Sequence, residues 1–405
     1  MSVPKLRFKE FDEAWKPSIL ADISNIVTGS TPATSKSEYY DGDFLFVSPA
    51  DIQENRYVDA TKTTLTKEGF NKCRHIPKNS ILFVCIGSTI GKIAQNKEIC
   101  ATNQQINAVI PNNDHVSDFL YLVLDKLAPS IKLTAGVQAV PLINKTEFGK
   151  TELFTPTLGE QTKIASFLSA VDEKISQLTQ KHELLSQYKQ GMMQKLFSQH
   201  IRFKADDGSE FAKWEDSKLG ELTILITKGT TPSSLGEKYE ESGINFIKIE
   251  SLSSNGKFLL DKFAYIDENT HNKLARSKLE HDDILFSIAG ALGRVAIISR
   301  DYLPANTNQA LAIIRLKDKK ITRYIYYFLN SDYVKKIIDS ESVQLAQANF
   351  SLGQLANLDV LVPCLEEQTK IANFLSAIDQ KIEVVAQQIE QAKTWKKGLL
   401  QQMFV

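Results

Sequence analysis

Apolar residues recur at alternating steps of four and three positions along two long segments of the chain. The first stripe consists of Ile164, Leu168, Val171, Ile175, Leu178 and Leu185, and the second of Ile371, Leu375, Ile378, Ile382, Val385 and Ile389. A period of 3.5 residues sustained over this length is typical of coiled-coil helices. Pro156 and Pro363 lie just upstream, where proline is tolerated. The pattern therefore predicts two long helices, the first of which is interrupted in its stripe by His182 and Lys189.

The two helical segments are copies of one another. EQTKIASFLSAVDEKI begins at Glu160 and EQTKIANFLSAIDQKI begins at Glu367, with 13 of 16 positions identical at an offset of 207. The match extends outward: LRFKEFDEAW corresponds to IRFKADDGSEFAKW, and ILFVCIGSTIGKIA corresponds to ILFSIAGALGRVA. A repeat of this length predicts a doubled architecture. The expected order is a globular unit at 1–155, a helix at 156–200, a globular unit at 201–362 and a helix at 363–405.

Each predicted helix is too long to bury its stripe against one compact domain, because the segment from Glu160 to Phe197 would extend roughly 57 Å. The simplest partner is the other helix. The alternative is that each helix packs along its own globular unit. A twofold axis across the pair would make the helices antiparallel and would match the symmetry of duplex DNA. We therefore expect an antiparallel coiled coil that acts as a spacer between two globular units.

Composition adds few constraints. The chain has 48 basic and 48 acidic side chains, so no basic tail or domain indicates nucleic-acid binding by charge alone. The four cysteines form no CxxC pair, which argues against a zinc site and fits a reducing compartment. The start MSVPKLRFKEF lacks the apolar core of a signal peptide, and no run of about 18 apolar residues suggests a membrane span. These features favour a cytoplasmic protein.

The segment GSTIGK at Gly87–Lys92 has some likeness to a phosphate-binding loop. Such a loop needs four residues between its glycines and Ser or Thr after the lysine, whereas here there are three and Ile93 follows. The repeat has two residues between Gly290 and Gly293. Strand-like residues precede both copies, so we predict strand, tight turn and strand. The turn residues Ser88, Thr89, Lys92 and Arg294 could contact the backbone of a partner, or the turns could be purely structural.

Two hydroxyl-rich glycine loops are candidates for phosphate contacts. Their residues are Thr28, Ser30 and Thr31 in the first repeat, and Lys228, Thr230 and Thr231 in the second. Backbone N–H and side-chain O–H groups in such loops suit phosphate oxygens. The alternative is ordinary turn chemistry before the next strand.

Paired amides follow further along each repeat. They are Asn103 and Gln104 in the first copy, and Asn308 and Gln309 in the second; further amides are Gln138, Gln344, Gln347 and Asn349. Asn and Gln can bind adenine through two hydrogen bonds. A side-chain hydrogen bond to a neighbouring loop is the alternative for each of them.

Sequence motifs of enzymes are missing. The chain has no Asn-Pro-Pro-Tyr-like tetrapeptide, no Gly-x-Gly-x-x-Gly cofactor loop, no GxSxG and no HExxH, and its six histidines lack metal-ligand spacing. We therefore predict no catalytic residues and no metal site in this chain.

The doubled layout resembles the specificity (S) subunit of type I restriction-modification systems. The resemblance rests on Pro-x-Leu-x-Glu-Gln-x-x-Ile and Phe-Leu at the start of each long helix. The first set is Pro156, Leu158, Glu160, Gln161, Ile164, Phe167 and Leu168, and the second is Pro363, Leu365, Glu367, Gln368, Ile371, Phe374 and Leu375. It implies an α+β protein in which two target recognition domains of mixed α/β fold form a pseudo-twofold repeat, each binding half of a bipartite DNA site.

The resemblance also implies partners. Two modification (methyltransferase) subunits would bind the chain, joined by restriction (translocase–nuclease) subunits, and S-adenosylmethionine, ATP and Mg²⁺ would belong to those partners. The chain itself would be a non-catalytic scaffold that binds double-stranded DNA. A coiled-coil adaptor with two protein-binding domains is the alternative, and an enzyme with an unrecognised site is a third interpretation.

Overall fold

The structure is a computed structural model that describes residues 3–53, 55–135, 140–342 and 349–405. The chain divides into two compact units, Met1–Gln180 with Ala386–Val405 and Lys181–Val385. Each unit combines one repeated globular segment with the start of the helix that follows it and the end of the other long helix. This division cuts across both helical segments, so the domain boundaries expected from the repeat stay a prediction.

Among its described residues, the first globular segment contains ten strands and four helices, and it leads into the first long helix. The strands are β1 (Lys16–Ile19), β2 (Ser24–Thr28), β3 (Tyr40–Val47), β4 (Tyr57–Val58), β5 (Thr63–Leu65), β6 (Ile81–Val84), β7 (Ile93–Asn96), β8 (Ala101–Thr102), β9 (Ile106–Pro111) and β10 (Glu152–Thr155). The helices are α1 (Leu20–Ile23), α2 (Lys67–Asn71), α3 (Ser117–Leu133), α4 (Lys145–Gly149) and the long α5 (Leu158–Phe197).

The second globular segment repeats this order with one strand fewer among its described residues. Its strands are β11 (Glu215–Lys218), β12 (Thr223–Lys228), β13 (Ile244–Ile247), β14 (Ala264–Ile266), β15 (Ile284–Ser287), β16 (Val295–Ile297), β17 (Ala305–Thr307), β18 (Leu311–Leu316) and β19 (Asp359–Val362). The helices are α6 (Glu268–Lys273), α7 (Thr322–Leu329), α8 (Asp332–Ser342), α9 (Leu352–Ala356) and the long α10 (Leu365–Met403).

The sheets of the two units have the same topology. The first unit has sheets of order β2-β9-β6-β7-β4, β5-β3-β8 and β1-β10, and the second has β12-β18-β15-β16, β14-β13-β17 and β11-β19. Strand β4 is the addition in the first unit. The mixed α/β architecture and the repeat predicted from the sequence are therefore confirmed.

Strand β6 is apolar at every position, and β15 is apolar up to its last residue, Ser287, because both faces of these strands are buried. Successive strand residues point to opposite faces. In β6, Ile81 and Phe83 belong to the cluster that includes α3 and α5, whereas Leu82 and Val84 belong to the cluster around β3. Strand β15 divides its residues between two clusters in the same way. Each central sheet is thus held between a helical layer and the smaller three-stranded sheet.

Both long helices form where the apolar stripes predict them. Helix α5 begins two residues after Pro156, and α10 begins two residues after Pro363. The stripe residues Ile164, Leu168, Val171, Leu178, Ile371, Leu375, Ile378 and Val385 are buried, and Ile175, Leu185, Ile382 and Ile389 are half-buried. No helix among the described residues is long and apolar enough to cross a membrane.

In each unit, stripe residues pack both against the globular segment and against the other long helix, which are the two partners expected from the sequence. In the first unit, Ile164 and Leu168 share a buried cluster with Trp15 of the globular segment and with Met403 of α10. In the second unit, the start of α10 likewise shares a cluster with the globular segment and with Leu196 of α5. The start of each helix therefore lies beside the end of the other, which is the antiparallel pairing predicted.

Lysines at one position of each stripe form ion pairs between the helices. Nζ of Lys189 lies 2.6 Å from Oδ1 of Asp379 in the second unit, and Nζ of Lys396 lies 2.6 Å from Oδ1 of Asp172 in the first. Lysine and aspartate are 17 positions apart on both helices, so one antiparallel register satisfies both pairs. A polar group at a seam position specifies register at a cost in stability. The interruption of the stripe by Lys189 therefore has a structural reason.

Candidate functional site

In each unit the hydroxyl-rich glycine loop crosses closely over the turn that carries the paired amides. A Cβ atom on Gly29 would lie 2.1 Å from the carbonyl oxygen of Asn103, and a Cβ on Gly229 would lie 2.0 Å from that of Thr307. The next residue of each loop donates its N–H across the crossing: Ser30 to the carbonyl of Thr102 at 2.8 Å, and its second-unit counterpart at 3.1 Å. Only glycine permits this approach, which explains the glycine in both loops.

The crossing brings a threonine hydroxyl against a glutamine amide in both units. Oγ1 of Thr31 donates to Oε1 of Gln104 at 2.7 Å, and Oγ1 of Thr231 donates to Oε1 of Gln309. Both glutamines are exposed. Because the threonine engages the amide oxygen, the amide N–H groups are the donors that a bound partner would meet first. The two candidate loops therefore form one surface in each unit.

The asparagines of the paired amides are hydrogen-bonded within their own turns. Oδ1 of Asn103 accepts the backbone N–H of Gln105 at 3.1 Å, and Oδ1 of Asn308 accepts that of Ala310 at 3.3 Å. Both asparagines are half-buried. Each of these side chains thus accepts a hydrogen bond from the backbone two residues further along its own turn, and its contact with a partner stays a prediction.

An arginine that the sequence reasoning missed lies at each glycine loop. Nη1 of Arg74 donates to the carbonyl of Thr28 at 2.6 Å, and Nη2 of Arg276 donates to Oγ1 of Thr230 at 2.9 Å. Both arginines are exposed. The signal was available, because each follows an Asn-Lys pair at the end of a short helix, in NKCR and NKLAR.

The lysine and the hydroxyls at the edges of the loops also have defined places. Lys228 ends strand β12 and is exposed. Oγ1 of Thr28 donates to Oδ1 of Asn107 at 2.7 Å, so this hydroxyl links neighbouring strands. Oγ of Ser30 accepts the backbone N–H of Arg74 at 3.0 Å. Of the hydroxyls in the first loop, Thr31 is thus the exposed one beside the glutamine.

The GSTIGK segment and its repeat form the predicted strand, tight turn and strand. Strands β6 and β7 pair antiparallel, as do β15 and β16. The glycines of both turns have positive φ, 94° at Gly87 and Gly91 and 73° and 76° at Gly290 and Gly293. A phosphate-binding loop leads into a helix instead. These turns therefore lack the architecture of a nucleotide site.

The cation of each turn is bound inside its own unit. Nζ of Lys92 donates to the carbonyl of Ile52 at 2.9 Å, and Nη1 of Arg294 donates to the carbonyl of Leu252. Ser88 is exposed and Thr89 is half-buried. Both cations thus hold a neighbouring loop of their own unit. The contact of the four turn residues with a partner stays a prediction.

The remaining amide candidates are only partly described. Asn349 is exposed, and its backbone pairs with that of Ala289 at the turn of the second unit. Gln138, Gln344 and Gln347 lie outside the described residues.

The start of each long helix is fixed by a buried carboxylate. The Glu160 carboxylate accepts hydrogen bonds from Nε and Nη2 of Arg7 at 2.8 and 2.7 Å and from Nε1 of Trp15 at 3.3 Å. Glu367 accepts the equivalent atoms of Arg202 and Trp214. The hydrogen bond to Glu160 raises the pKa of Arg7 above its ordinary value. The Glu of the helix-start motif therefore anchors the segment that precedes each globular fold.

Metal-ligand clusters and buried thiols bear on the chemistry that the described residues could perform. That part of the chain has no cluster of three or more His, Cys, Asp or Glu side chains placed to hold a metal ion. Burial raises the pKa of the Cys85 and Cys100 thiols to about 12, so both are neutral thiols at pH 7. The surface formed by the loops is instead suited to binding through hydrogen bonds and positive charge.

Comparison with known proteins gives a consistent family. The family model described as "Type I restriction modification DNA specificity domain" matches residues 12–187 and 212–394. The chain is 26% identical over 400 residues to the type I restriction enzyme MjaVIII specificity subunit of Methanocaldococcus jannaschii, covering 96% of this chain and 91% of that protein. It is 33% identical over 150 residues to the HindI specificity subunit of Haemophilus influenzae, covering 35% of this chain and 32% of that protein.

Solved structures share the fold. The S subunit of a type I restriction-modification system from M. genitalium superposes with a TM-score of 0.64 at 18% identity, covering 100% of this chain and 99% of that chain. A chain from a study of complex assembly and conformational transition of the type I R-M system gives a TM-score of 0.59 at 17% identity, with 96% and 97% covered. The match spans both repeats and both long helices.

Proposed function

The chain belongs to the type I restriction modification DNA specificity family, and from this premise we propose that it is the DNA-recognition subunit of a type I restriction-modification complex. Each repeated unit recognises one half of a bipartite duplex target, and the long helices scaffold the partner subunits. The observation that carries the proposal is the surface that occurs once in each unit. It combines an exposed glutamine, a hydroxyl-rich glycine loop and an exposed arginine, which are groups that base edges and phosphates bind.

Five residues form the proposed DNA-recognition surface of each unit. The first recognition surface is Thr28, Ser30, Thr31, Arg74 and Gln104, and the second is Lys228, Thr230, Thr231, Arg276 and Gln309. We assign base contacts to the glutamines and phosphate contacts to the cations and hydroxyls. Because a threonine engages each amide oxygen, the glutamine donates its N–H groups to an acceptor such as N7 or O6 of guanine. Binding adenine through two hydrogen bonds would require the threonine to release that oxygen.

The proposal places catalysis on the partners. Two modification subunits and the restriction subunits supply the S-adenosylmethionine, ATP and Mg²⁺ chemistry, and this cytoplasmic chain supplies the target. The equal numbers of basic and acidic residues are compatible with this role if partner subunits neutralise much of the phosphate charge.

A coiled-coil adaptor with two protein-binding domains is the second candidate. One experiment separates the two. Methylation sequencing of host cells with and without the chain gives the target, and binding of the reconstituted complex to that duplex is then measured as salt is raised. DNA recognition predicts one bipartite motif and an affinity that falls steeply with salt. Methylation that is independent of the chain would contradict it.

Replacing Gln104 with alanine is expected to relax the choice of base in the first half-site only. A lost base contact costs about 1–3 kcal/mol of discrimination. The measurement is the Kd for duplexes with single substitutions in each half-site. Gln309→Ala is the matched variant for the second half-site, and Gln190→Ala on the exposed side of α5 is the control. Two glutamine variants with wild-type preferences at every position would reject the assigned base contacts.

Replacing Lys228 with alanine is expected to weaken binding about equally on all duplexes. Because a phosphate contact releases a counterion, the slope of log K against log salt should fall by roughly one. Lys213→Ala, an exposed lysine before β11, should leave the slope unchanged. An unchanged slope for Lys228→Ala would move the phosphate-binding face elsewhere in the second unit.

A further inference from the structure

A buried arginine fastens the globular segment of the first unit to its long helix. Nη1 of Arg56 donates to Oγ of Ser169 on α5 at 2.9 Å, and Nε donates to Oε1 of Gln95 at 2.6 Å. Nη2 lies 2.7 Å from Oδ1 of Asp118, the second residue of α3, and the Arg56 side chain is only 7% exposed. One guanidinium thus joins a strand, a domain helix and the long helix.

The second unit makes the same bond to the long helix from a different element. Nη1 of Arg323 donates to Oγ of Ser376 on α10 at 2.7 Å. Ser376 is the repeat counterpart of Ser169, in LSAID against LSAVD. Arg323, however, is the second residue of α7, the position that Asp118 holds in α3. The serine thus occupies the same position in both repeats. The arginine comes from the residue before β4 in the first unit and from α7 in the second.

The position of Arg56 is empty of any side chain in the second unit. The pair Asn55-Arg56 corresponds to Asn255-Gly256. Gly256 has φ of +76°, and a Cβ atom there would lie 2.0 Å from the carbonyl oxygen of Val295. No L side chain fits this backbone, so the second unit cannot place an arginine from this loop.

A cavity of about 360 Å³ marks the missing side chain. Its lining includes Gly256, Ile297, Arg323, Tyr326 and Ser376. The repeat counterparts of these residues are Arg56, Gln95, Asp118, Tyr121 and Ser169. In the first unit the guanidinium fills the corresponding space, with its carbon 4.7 Å from the centre of the Tyr121 ring. The cavity is thus the counterpart of an occupied arginine site.

We propose that Arg56 and Arg323 are equivalent positioning residues, each of which fixes the recognition domain of its unit on the serine of its own long helix. The first repeat has Arg56 and Asp118 where the second has Gly256 and Arg323, so each repeat has one arginine at these two positions. Two guanidinium groups beside one serine would repel each other. With no arginine there, the serine hydroxyl would lose the hydrogen bond that it accepts. Each unit therefore holds one arginine at this place. That these domains recognise DNA rests on the proposed function, whereas the hydrogen bonds that fix them to the long helices do not.

The test transplants the arrangement of the second unit into the first. Thermal unfolding of the full chain is measured for Arg56→Ala, for Asp118→Arg and for the two combined. We expect Arg56→Ala to lower the midpoint by roughly 5 °C or more, since a buried set of charge-assisted hydrogen bonds is lost. Asp118→Arg should lower the midpoint in the wild-type chain and raise it in the Arg56→Ala chain.

This change of sign is the decisive readout, because a general loss of packing would lower the midpoint in both backgrounds. A rescue that disappears when Ser169→Ala is added would show that the transplanted arginine acts through the serine. Asp118→Arg that is destabilising with either residue at position 56 would overturn the proposal. Unfolding is measured without DNA, so this result does not depend on whether the proposed function holds.

Discussion

Replacing Glu160 with alanine is expected to destabilise the first unit by about 3–5 kcal/mol, because removing one partner of a buried ion pair leaves the other charge uncompensated. The side chain of Glu160 is 1% exposed and that of Arg7 is 12% exposed. The variant also removes the acceptor of the Trp15 indole N–H. Urea unfolding of the full chain would show this as a lower midpoint for the transition of the first unit.

A surface ion pair on the same helix provides the control. Lys163 and Glu10 pair at 3.4 Å with about half of each side chain exposed, 53% and 52%. Exposed ion pairs contribute little to stability, so Glu10→Ala should unfold nearly like the wild type. Glu367→Ala should repeat the large effect in the second unit. If Glu160→Ala unfolds at the same urea concentration as Glu10→Ala, the buried pair does not anchor the helix start.

This anchor shows a limit of sequence reasoning. The repeat and the helix starts were visible, because identical residues and a regular apolar period are properties of the chain itself. Arg7 and Glu160 are 153 positions apart, and nothing in either segment shows that they meet. Because the segments that contain the arginine and the glutamate both occur in each repeat, the sequence suggests only that they act together.

The recognition surfaces divide in the same way. Hydroxyls, glycines and amides identified both loops by residue type. Their crossing depends on the pairing of β2 with β9, which brings Thr31 and Gln104 together although they are 73 positions apart. Arg74 and Arg276 were missed although each follows an Asn-Lys pair in its repeat, because that pair does not show that the arginine lies at the glycine loop. For Lys92 the residue type suggested a partner contact, and the structure shows a carbonyl of the same unit as its acceptor.

The helical stripes were predicted more completely, although periodicity does not name the partner. An apolar seam is equally consistent with a helix or with a globular core as its partner, and here both contribute. The lysines in the seam could be explained only after Asp172 and Asp379 were seen opposite them. Each ion pair fixes the register of α5 against α10 within its own unit.

Lengthening both long helices is expected to lengthen the spacer of the DNA target. Helix α5 is continuous over 40 residues and connects the two globular segments. Inserting seven residues after Thr179 in α5 and seven after Ala386 in α10 keeps both stripes in phase, because seven is one heptad. The helices then grow by about 10.5 Å. With DNA rising 3.4 Å per base pair, the half-sites should move apart by about three base pairs.

Inserting four residues after Thr179 in α5 alone is the informative comparison. It lengthens that helix by about 6 Å, which corresponds to one or two base pairs, and introduces a stutter into the stripe. It also shifts Lys189 relative to Asp172, so one register can no longer satisfy both interhelical ion pairs. We therefore expect lower stability as well as a longer spacer. Methylation sequencing of cells that carry each variant reports half-sites and spacing together. Active variants whose half-sites and spacing both match the wild type would show that the helices do not set the distance.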